Sequence, residues 1–321
     1  VGTGCAWSAA GHRRLIAQAP PPVETHRGHD GRGRVAATLR PFVATGGIAY
    51  LSDRVPLRDD PLAARDGSGM GQPAFSLDNL RLRYEPFPIG LAKPIMSEEA
   101  YRGLLDAYPP VELFEYIPKV GHKYCLSEKY HPKQYQEWID SHQVWKNFHE
   151  WIKSDDFVWG VLDHLKGLHI DLGFKRLSGS GRLKRNLKNL VRGKWWKAPA
   201  KLSARFEFSM LPAEGGCVTP HTDNPDKIVT MVVSMARDGE WDPAYGGGTE
   251  VNRHKVPELS FNRMNGKAEF EEMERLDCFE FEPNQCVLFV KTFNSWHCVR
   301  PMQGPKGAMR RTLTINIETS H

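Results

Sequence analysis

His221 and Asp223 stand two positions apart in Pro220-His221-Thr222-Asp223. Side chains on an extended backbone alternate with period two, so an imidazole nitrogen and a carboxylate oxygen turn to the same side. Such a pair arises often by chance and needs company. His297 supplies it, in Phe293-Asn294-Ser295-Trp296-His297, soon after the apolar run 286–290. Two histidines and one carboxylate are the donor set of the facial triad that holds Fe(II) and leaves coordination positions open. Zinc or another metal is the rival occupant. Thirteen residues beyond His297, Arg310 opens the stretch 310–317. A guanidinium fork meets a carboxylate bidentately, so an arginine here suits the far end of a dicarboxylic co-substrate. Arg310, Thr312, Thr314 and Asn316 share one face of a strand, and Arg311, Leu313, Ile315 and Ile317 share the other. The polar face suits a pocket and the apolar face suits packing. Arg310 is therefore preferred to Arg311, which stays as the alternative.

The elements that must position these side chains are strands. Phe206, Phe208 and Met210 alternate with Arg205, Glu207 and Ser209, and 228–235 is a run rich in β-branched residues. Residues 278–281 and 286–290 flank Glu282-Pro283-Asn284-Gln285, where Pro-Asn makes a turn. Several short strands with Gly-rich connections imply a jelly roll. Tyr245-Gly246-Gly247-Gly248 reads as scaffold, with Tyr245 a candidate substrate contact, and 253–275 reads as a polar insertion between strands. Asn224 and Trp296 flank ligands and are candidates for supporting them. The strands are preceded by helices. Ser97 is a candidate N-cap, with Glu98 and Glu99 in the first turn where the helix dipole favours anions. That helix must end before Pro109-Pro110. Residues 133–168 predict two or three helices, because Val158, Val161, Leu162 and Leu165 form one amphipathic stripe and Trp145, Phe148 and Ile152 another.

The 321-residue chain is 40% hydrophobic and 25% charged, with a formal net charge of +5. That composition is globular, and the charge alone does not argue for nucleic acid. No apolar run approaches the length that spans a bilayer. The six cysteines lack CxxC spacing, which predicts reduced, mostly buried thiols and a cytoplasmic location. Residues 1–69 hold nine arginines and no lysine, and every methionine lies at Met70 or later. No hydrophobic period lasts there, so a disordered extension is expected, with the functional polypeptide starting near Met70. A targeting or partner-binding tail is the alternative. Residues 178–201 interleave basic residues with Trp195-Trp196. A solvated insertion is the preferred reading, and an anionic-polymer contact is the other. His164 with His169, and His122 with His131, lack a partner carboxylate pattern and read as structural.

The order His221-x-Asp223, Tyr245-Gly246-Gly247-Gly248-Thr249-Glu250, His297, Arg310-x-Thr312 resembles the Fe(II)/2-oxoglutarate-dependent oxygenase superfamily, in its prolyl-hydroxylase-like branch. The likeness covers roughly residues 75–321, most densely 205–321. It implies an α+β fold with a double-stranded β-helix (jelly-roll, cupin-like) core and N-terminal helices packed on the sheet. One domain would span 70–321, with helical support over 95–200 and the core over 201–321. It implies Fe(II) on His221, Asp223 and His297, 2-oxoglutarate on Arg310 with a further bond from Thr312, and O2 as oxidant. A C–H bond of a small molecule or of an amino-acid or peptidyl side chain would be hydroxylated, with succinate and CO2 as co-products. In halogenating relatives a small residue replaces the carboxylate ligand; Asp223 is present here, which favours hydroxylation. Nucleic acid and membrane are not expected partners. Two rivals stay open: a silent jelly-roll binding module, and an oxygenase acting on nucleic acid.

Overall fold

The computed structural model describes residues 75–176, 201–262 and 265–320. The expectations for 1–69, and for all of 178–201 but Lys201, lie outside the described residues. Two strands come first, β1 (Arg81–Arg83) and β2 (Ile89–Ala92). Helix α1 (Glu98–Asp106) follows, and Ser97 Oγ accepts from the Ala100 N–H at 3.3 Å, the cap its sequence predicts. Strands β3 (Glu115–Ile117) and β4 (Lys123–Ser127) form a hairpin, so the stretch expected to be helical support also supplies sheet. Three helices then occupy the predicted helical stretch: α2 (Pro132–Ser141), α3 (Gln143–Ile152) and α4 (Asp155–Gly167). The rest is mainly strand: β5 (Lys201–Pro212), β6 (Val218–His221), β7 (Lys227–Ser234), β8 (Thr249–His254), β9 (Met273–Phe279), β10 (Cys286–Val290), β11 (His297–Val299) and β12 (Met309–Ser320).

These strands make two antiparallel sheets. The larger runs β1-β2-β10-β7-β12-β5-β4-β3, and the smaller runs β6-β11-β8-β9. Residues directly opposite in a ladder point to the same face. Leu313 faces Phe208 and Val233, and Ile315 faces Phe206 and Met231. This apolar face meets the helices, where Trp145, Phe148 and Ile152 are fully buried. Trp145 meets Phe208 edge-on with ring centroids 4.6 Å apart. The opposite face turns toward the small sheet. A separate cluster of Phe87, Ile89, Val251, Val287 and Phe289 fills part of that side. The 282–285 turn therefore does not join neighbours in one sheet. It carries the chain from β9 in the small sheet to β10 in the large one. No described helix is long and apolar enough to cross a membrane.

Tyr135 exposes a testable flaw in the helix–sheet core. Its side chain is 1% exposed, yet its hydroxyl has no hydrogen-bond partner among the described residues. A buried hydroxyl without a partner costs free energy that its removal returns. Tyr135→Phe is expected to leave stability unchanged or raise it by ~1 kcal/mol. A clear drop in the thermal midpoint would contradict this.

Candidate metal centre

The small sheet brings the two histidines together. β6 and β11 pair antiparallel with His221 directly opposite His297, and their ring centroids are 4.3 Å apart. Asp223 lies two residues past His221, just beyond the end of β6, and its Oδ1 is 3.8 Å from His221 Nε2. One ligand atom from each of the three residues lies within 4.8 Å of the other two. Among the described residues this is the one such group of three or more metal-ligating side chains. Their spacing in sequence, 221, 223 and 297, is a consequence of ladder register.

Both imidazoles are oriented in the same way. His221 Nδ1 lies 2.9 Å from the Thr219 carbonyl, and His297 Nδ1 lies 3.0 Å from the Ser295 carbonyl. A carbonyl only accepts, so each Nδ1–H donates and each Nε2 lone pair is left for a metal. Phe289 packs against His297 with centroids 4.4 Å apart. Asp223 is held at both oxygens: Oδ1 accepts from Lys227 at 2.8 Å and Oδ2 accepts from Thr230 at 2.7 Å.

Burial pushes the His221 pKa down to about 3, helped by His297, and burial also lowers that of His297. Burial pushes the Asp223 carboxyl up, but Lys227 and the two imidazoles together hold it below the usual carboxylate range. The site at neutral pH is thus two neutral imidazoles and one carboxylate, the protonation state a metal requires.

A linkage follows. An unfolded histidine takes a proton near pH 6.5, whereas folded His221 resists it down to about 3. The unfolded state binds more protons between these values, so stability falls as pH falls through that window. Denaturant midpoints of the metal-free protein should drop between pH 7 and pH 4. The drop should be shallower in His221→Asn. An identical slope in the variant would refute the burial argument.

Arg310 lies at the start of β12, on the face shared with Thr312, Thr314 and Asn316. Its side chain is buried, at 5% exposure. Its Nε donates to the Gly247 carbonyl at 2.5 Å, and its guanidinium lies 4.8 Å over the Phe281 ring. Among the described residues no carboxylate pairs with it, and burial lowers its pKa to about 10. Arg311 faces the other way. It pairs with the Glu240 carboxylate and lies 5.7 Å over the Tyr108 ring. The Thr312 hydroxyl is 2.9 Å from that of Ser209.

Other supports are illegible in the sequence. Gly247 has φ +88°, and a Cβ there would meet Met302 Sδ at 2.9 Å and Arg310 Cδ at 3.1 Å. The glycine run is thus the wall of the arginine's pocket, reached after a short 3-10 helix (Pro243–Tyr245). Tyr245 packs on Trp241 at 5.5 Å, beside that pocket. The 253–275 stretch is largely irregular, but part of it works as a clip. The Thr222 N–H donates to the Gly266 carbonyl and the Ala268 N–H to that of Pro220, each at 3.0 Å. The Thr222 hydroxyl donates to Asn262 Oδ1 at 2.7 Å, and the Asn262 N–H donates to the Phe293 carbonyl at 2.7 Å. Trp296 Nε1 donates to the Ser260 carbonyl at 2.8 Å, which gives it the supporting place its position predicts. One segment therefore ties the 221–223 strand end to the loop before His297. Asn224 instead caps its own turn, accepting from the Asp226 N–H at 3.0 Å.

Residues 206–318 match the family model of the 2OG-Fe(II) oxygenase superfamily, and the resemblance read from the sequence is borne out at that level. The chain is similar to a prolyl-4-hydroxylase from Pseudomonas putida, at 12% identity over 73% of this chain and 93% of that one, with a TM-score of 0.34. It is also similar to a prolyl hydroxylase from Trichoplax adhaerens, solved with a hypoxia inducible factor oxygen degradation domain peptide fragment. That match has 12% identity over 72% of this chain and 83% of that one, with a TM-score of 0.36. Among curated proteins it is similar to large ribosomal subunit protein uL16 of Bifidobacterium longum, 37% identical over 79 residues, or 24% of this chain. The chain spans about half the length, 55%, of these curated relatives.

Proposed function

We propose that residues 70–321 form one Fe(II)- and 2-oxoglutarate-dependent dioxygenase domain of the prolyl-hydroxylase-like branch. Its reaction is hydroxylation of a C–H bond in a small molecule or in an amino-acid or peptidyl side chain, with succinate and CO2 as co-products. The observation that carries this reading is the convergence of two neutral imidazoles, in register across β6 and β11, with a carboxylate just past the end of β6. The strand order supports a double-stranded β-helix, because consecutive strands from β5 to β12 largely alternate between the two sheets. Five free cysteines among the described residues suit a reducing compartment such as the cytoplasm.

The residues fit the implied groups. Two Nε2 lone pairs and a carboxylate oxygen are the borderline donor set that Fe(II) takes. Arg310, buried with no carboxylate partner among the described residues, fits the far carboxylate of 2-oxoglutarate, and Thr312 lies on the same strand face. When bound, the iron and 2-oxoglutarate supply the oxidising chemistry with O2. The chain's own residues do the positioning. The Thr219 and Ser295 carbonyls fix the tautomers and ring orientations of His221 and His297. Thr230 holds one Asp223 oxygen and so orients the other toward the histidines. Phe289 closes one side of His297 to water. Arg310 orients the co-substrate from the far end.

The test is product analysis. Protein supplied with Fe(II), 2-oxoglutarate and labelled O2 should form succinate in a metal-dependent way. Its substrate, found by screening, should gain one oxygen atom carrying the label. Succinate formation that survives without iron, or a product oxygen derived wholly from water, would overturn the proposal.

A further inference from the structure

Two lysines sit at adjacent strand ends: Lys227 opens β7, and Lys291 follows its neighbour β10. The Lys227 ammonium is 2.8 Å from Asp223 Oδ1, the oxygen that lies 3.8 Å from His221 Nε2. Its side chain remains 21% exposed, so it borders solvent and is not sealed in the core. Lys291 directly follows β10, and its N–H donates to the Ile228 carbonyl of neighbouring β7 at 2.9 Å. Its ammonium donates to the Thr292 carbonyl at 3.0 Å. No carboxylate among the described residues pairs with it. Asp223 is the charge it feels, and His297 in turn feels both lysines.

Nearby cations are already matched. Arg205 pairs with Glu318 at 2.8 Å, and Lys123 pairs with Glu207 at 2.7 Å. Glu318 is the residue opposite Lys227 in the β7–β12 ladder, and it is taken by Arg205. Asp223 is the one carboxylate at ion-pair distance from Lys227 among the described residues. On the oxygenase reading, Asp223 is committed to the metal. The metal and Arg310 are then balanced by Asp223 and the two co-substrate carboxylates. Lys227 then shares Asp223 with the metal, and the two lysine charges exceed what the carboxylates among the described residues offset there.

Resting on that reading, we propose that Lys227 and Lys291 select a substrate bearing an oxyanion, a carboxylate or a phosphate, and hold it beside the metal centre. A pair of partly exposed ammoniums both steers and anchors such a group. A neutral isostere gains neither effect.

The experiment uses the full chain loaded with Mn(II) and saturating 2-oxoglutarate. The probes are N-acetyl-L-isoglutamine, whose one acid is the side-chain carboxylate, its neutral counterpart N-acetyl-L-glutaminamide, and N-acetyl-O-phospho-L-serinamide, whose one acid is the phosphate. Paramagnetic relaxation of probe protons reports which are held near the metal. Water relaxation in the same samples reports metal and co-substrate binding, so a failed oxygenase reading is separated from a failed inference. At least one acidic probe should be relaxed, at a concentration where N-acetyl-L-glutaminamide is not. The stronger of the two acids decides between carboxylate and phosphate. Lys291→Met should weaken that binding roughly five- to tenfold, the scale of one partly exposed ion pair. Lys291→Arg should restore it. Equal relaxation of acid and amide, relaxation of neither while metal and co-substrate bind, or an unchanged Lys291→Met would each overturn the proposal.

Discussion

Arg310→Met is expected to weaken 2-oxoglutarate binding by roughly 10²–10⁴-fold and, in the absence of co-substrate, to leave the protein as stable as the parent or more so. The two halves share one cause. The guanidinium is 5% exposed and has no carboxylate partner among the described residues, only the Gly247 carbonyl and the Phe281 ring. Burying a charge without its counter-ion is a cost to the fold, which an apolar side chain of similar volume removes. Supplying the counter-ion from a ligand turns that cost into affinity. Losing one member of a buried pair costs about 3–5 kcal/mol, which is the stated fold-change in affinity. Arg311→Met behaves oppositely, because Arg311 already pairs with Glu240 on the other face. It should leave co-substrate affinity near the parent's. Thermal midpoints with and without 2-oxoglutarate, together with a binding isotherm, check all three statements. A normal affinity in Arg310→Met with a loss in Arg311→Met would transfer the role.

His221→Ala, Asp223→Ala and His297→Ala should each reduce turnover to background while leaving the circular dichroism of the fold in place. All three lie at strand ends outside the helix–sheet core, so the core does not depend on them. Asp223→Ala should lose metal most completely. It removes the carboxylate and also leaves Lys227, formerly 2.8 Å from Oδ1, as an unmatched cation beside the metal. A loss on the order of 10³-fold or more in metal affinity is expected from that combination. Metal content after dialysis, measured beside succinate formation, is the check. A variant that kept near-parental metal and activity would remove that residue from the site.

Much of this was legible in the sequence because it rests on local rules. Ser97 caps α1 since a short hydroxyl followed by two glutamates is a helix start wherever it falls. The stripes through Trp145 and Val158 marked buried faces by period alone. The parity of 310–317 separated Arg310 from Arg311 before any contact was known. What stayed hidden depends on contacts distant in sequence. Nothing near His221 says that it will sit opposite His297, 76 residues away; ladder register does that. Thr230 was lost inside an apolar run, although its hydroxyl is one of the two groups that hold Asp223. Gly247 read only as scaffold, whereas its missing Cβ makes room for Arg310. Asn262 and Gly266 sat in a stretch with no period, and their value lies in bonds to Thr222 some 40 residues earlier.

The central claim is that one metal, held by His221, Asp223 and His297, and Arg310 together make a binding site for 2-oxoglutarate. Anaerobic equilibrium dialysis of 2-oxoglutarate tests it most directly, run with and without Fe(II) on the parent chain, His297→Ala and Arg310→Met. The account predicts one equivalent bound to the parent only when iron is present, and strongly weakened binding in both variants. Tight binding that ignores iron, or binding that survives both substitutions unchanged, would contradict it.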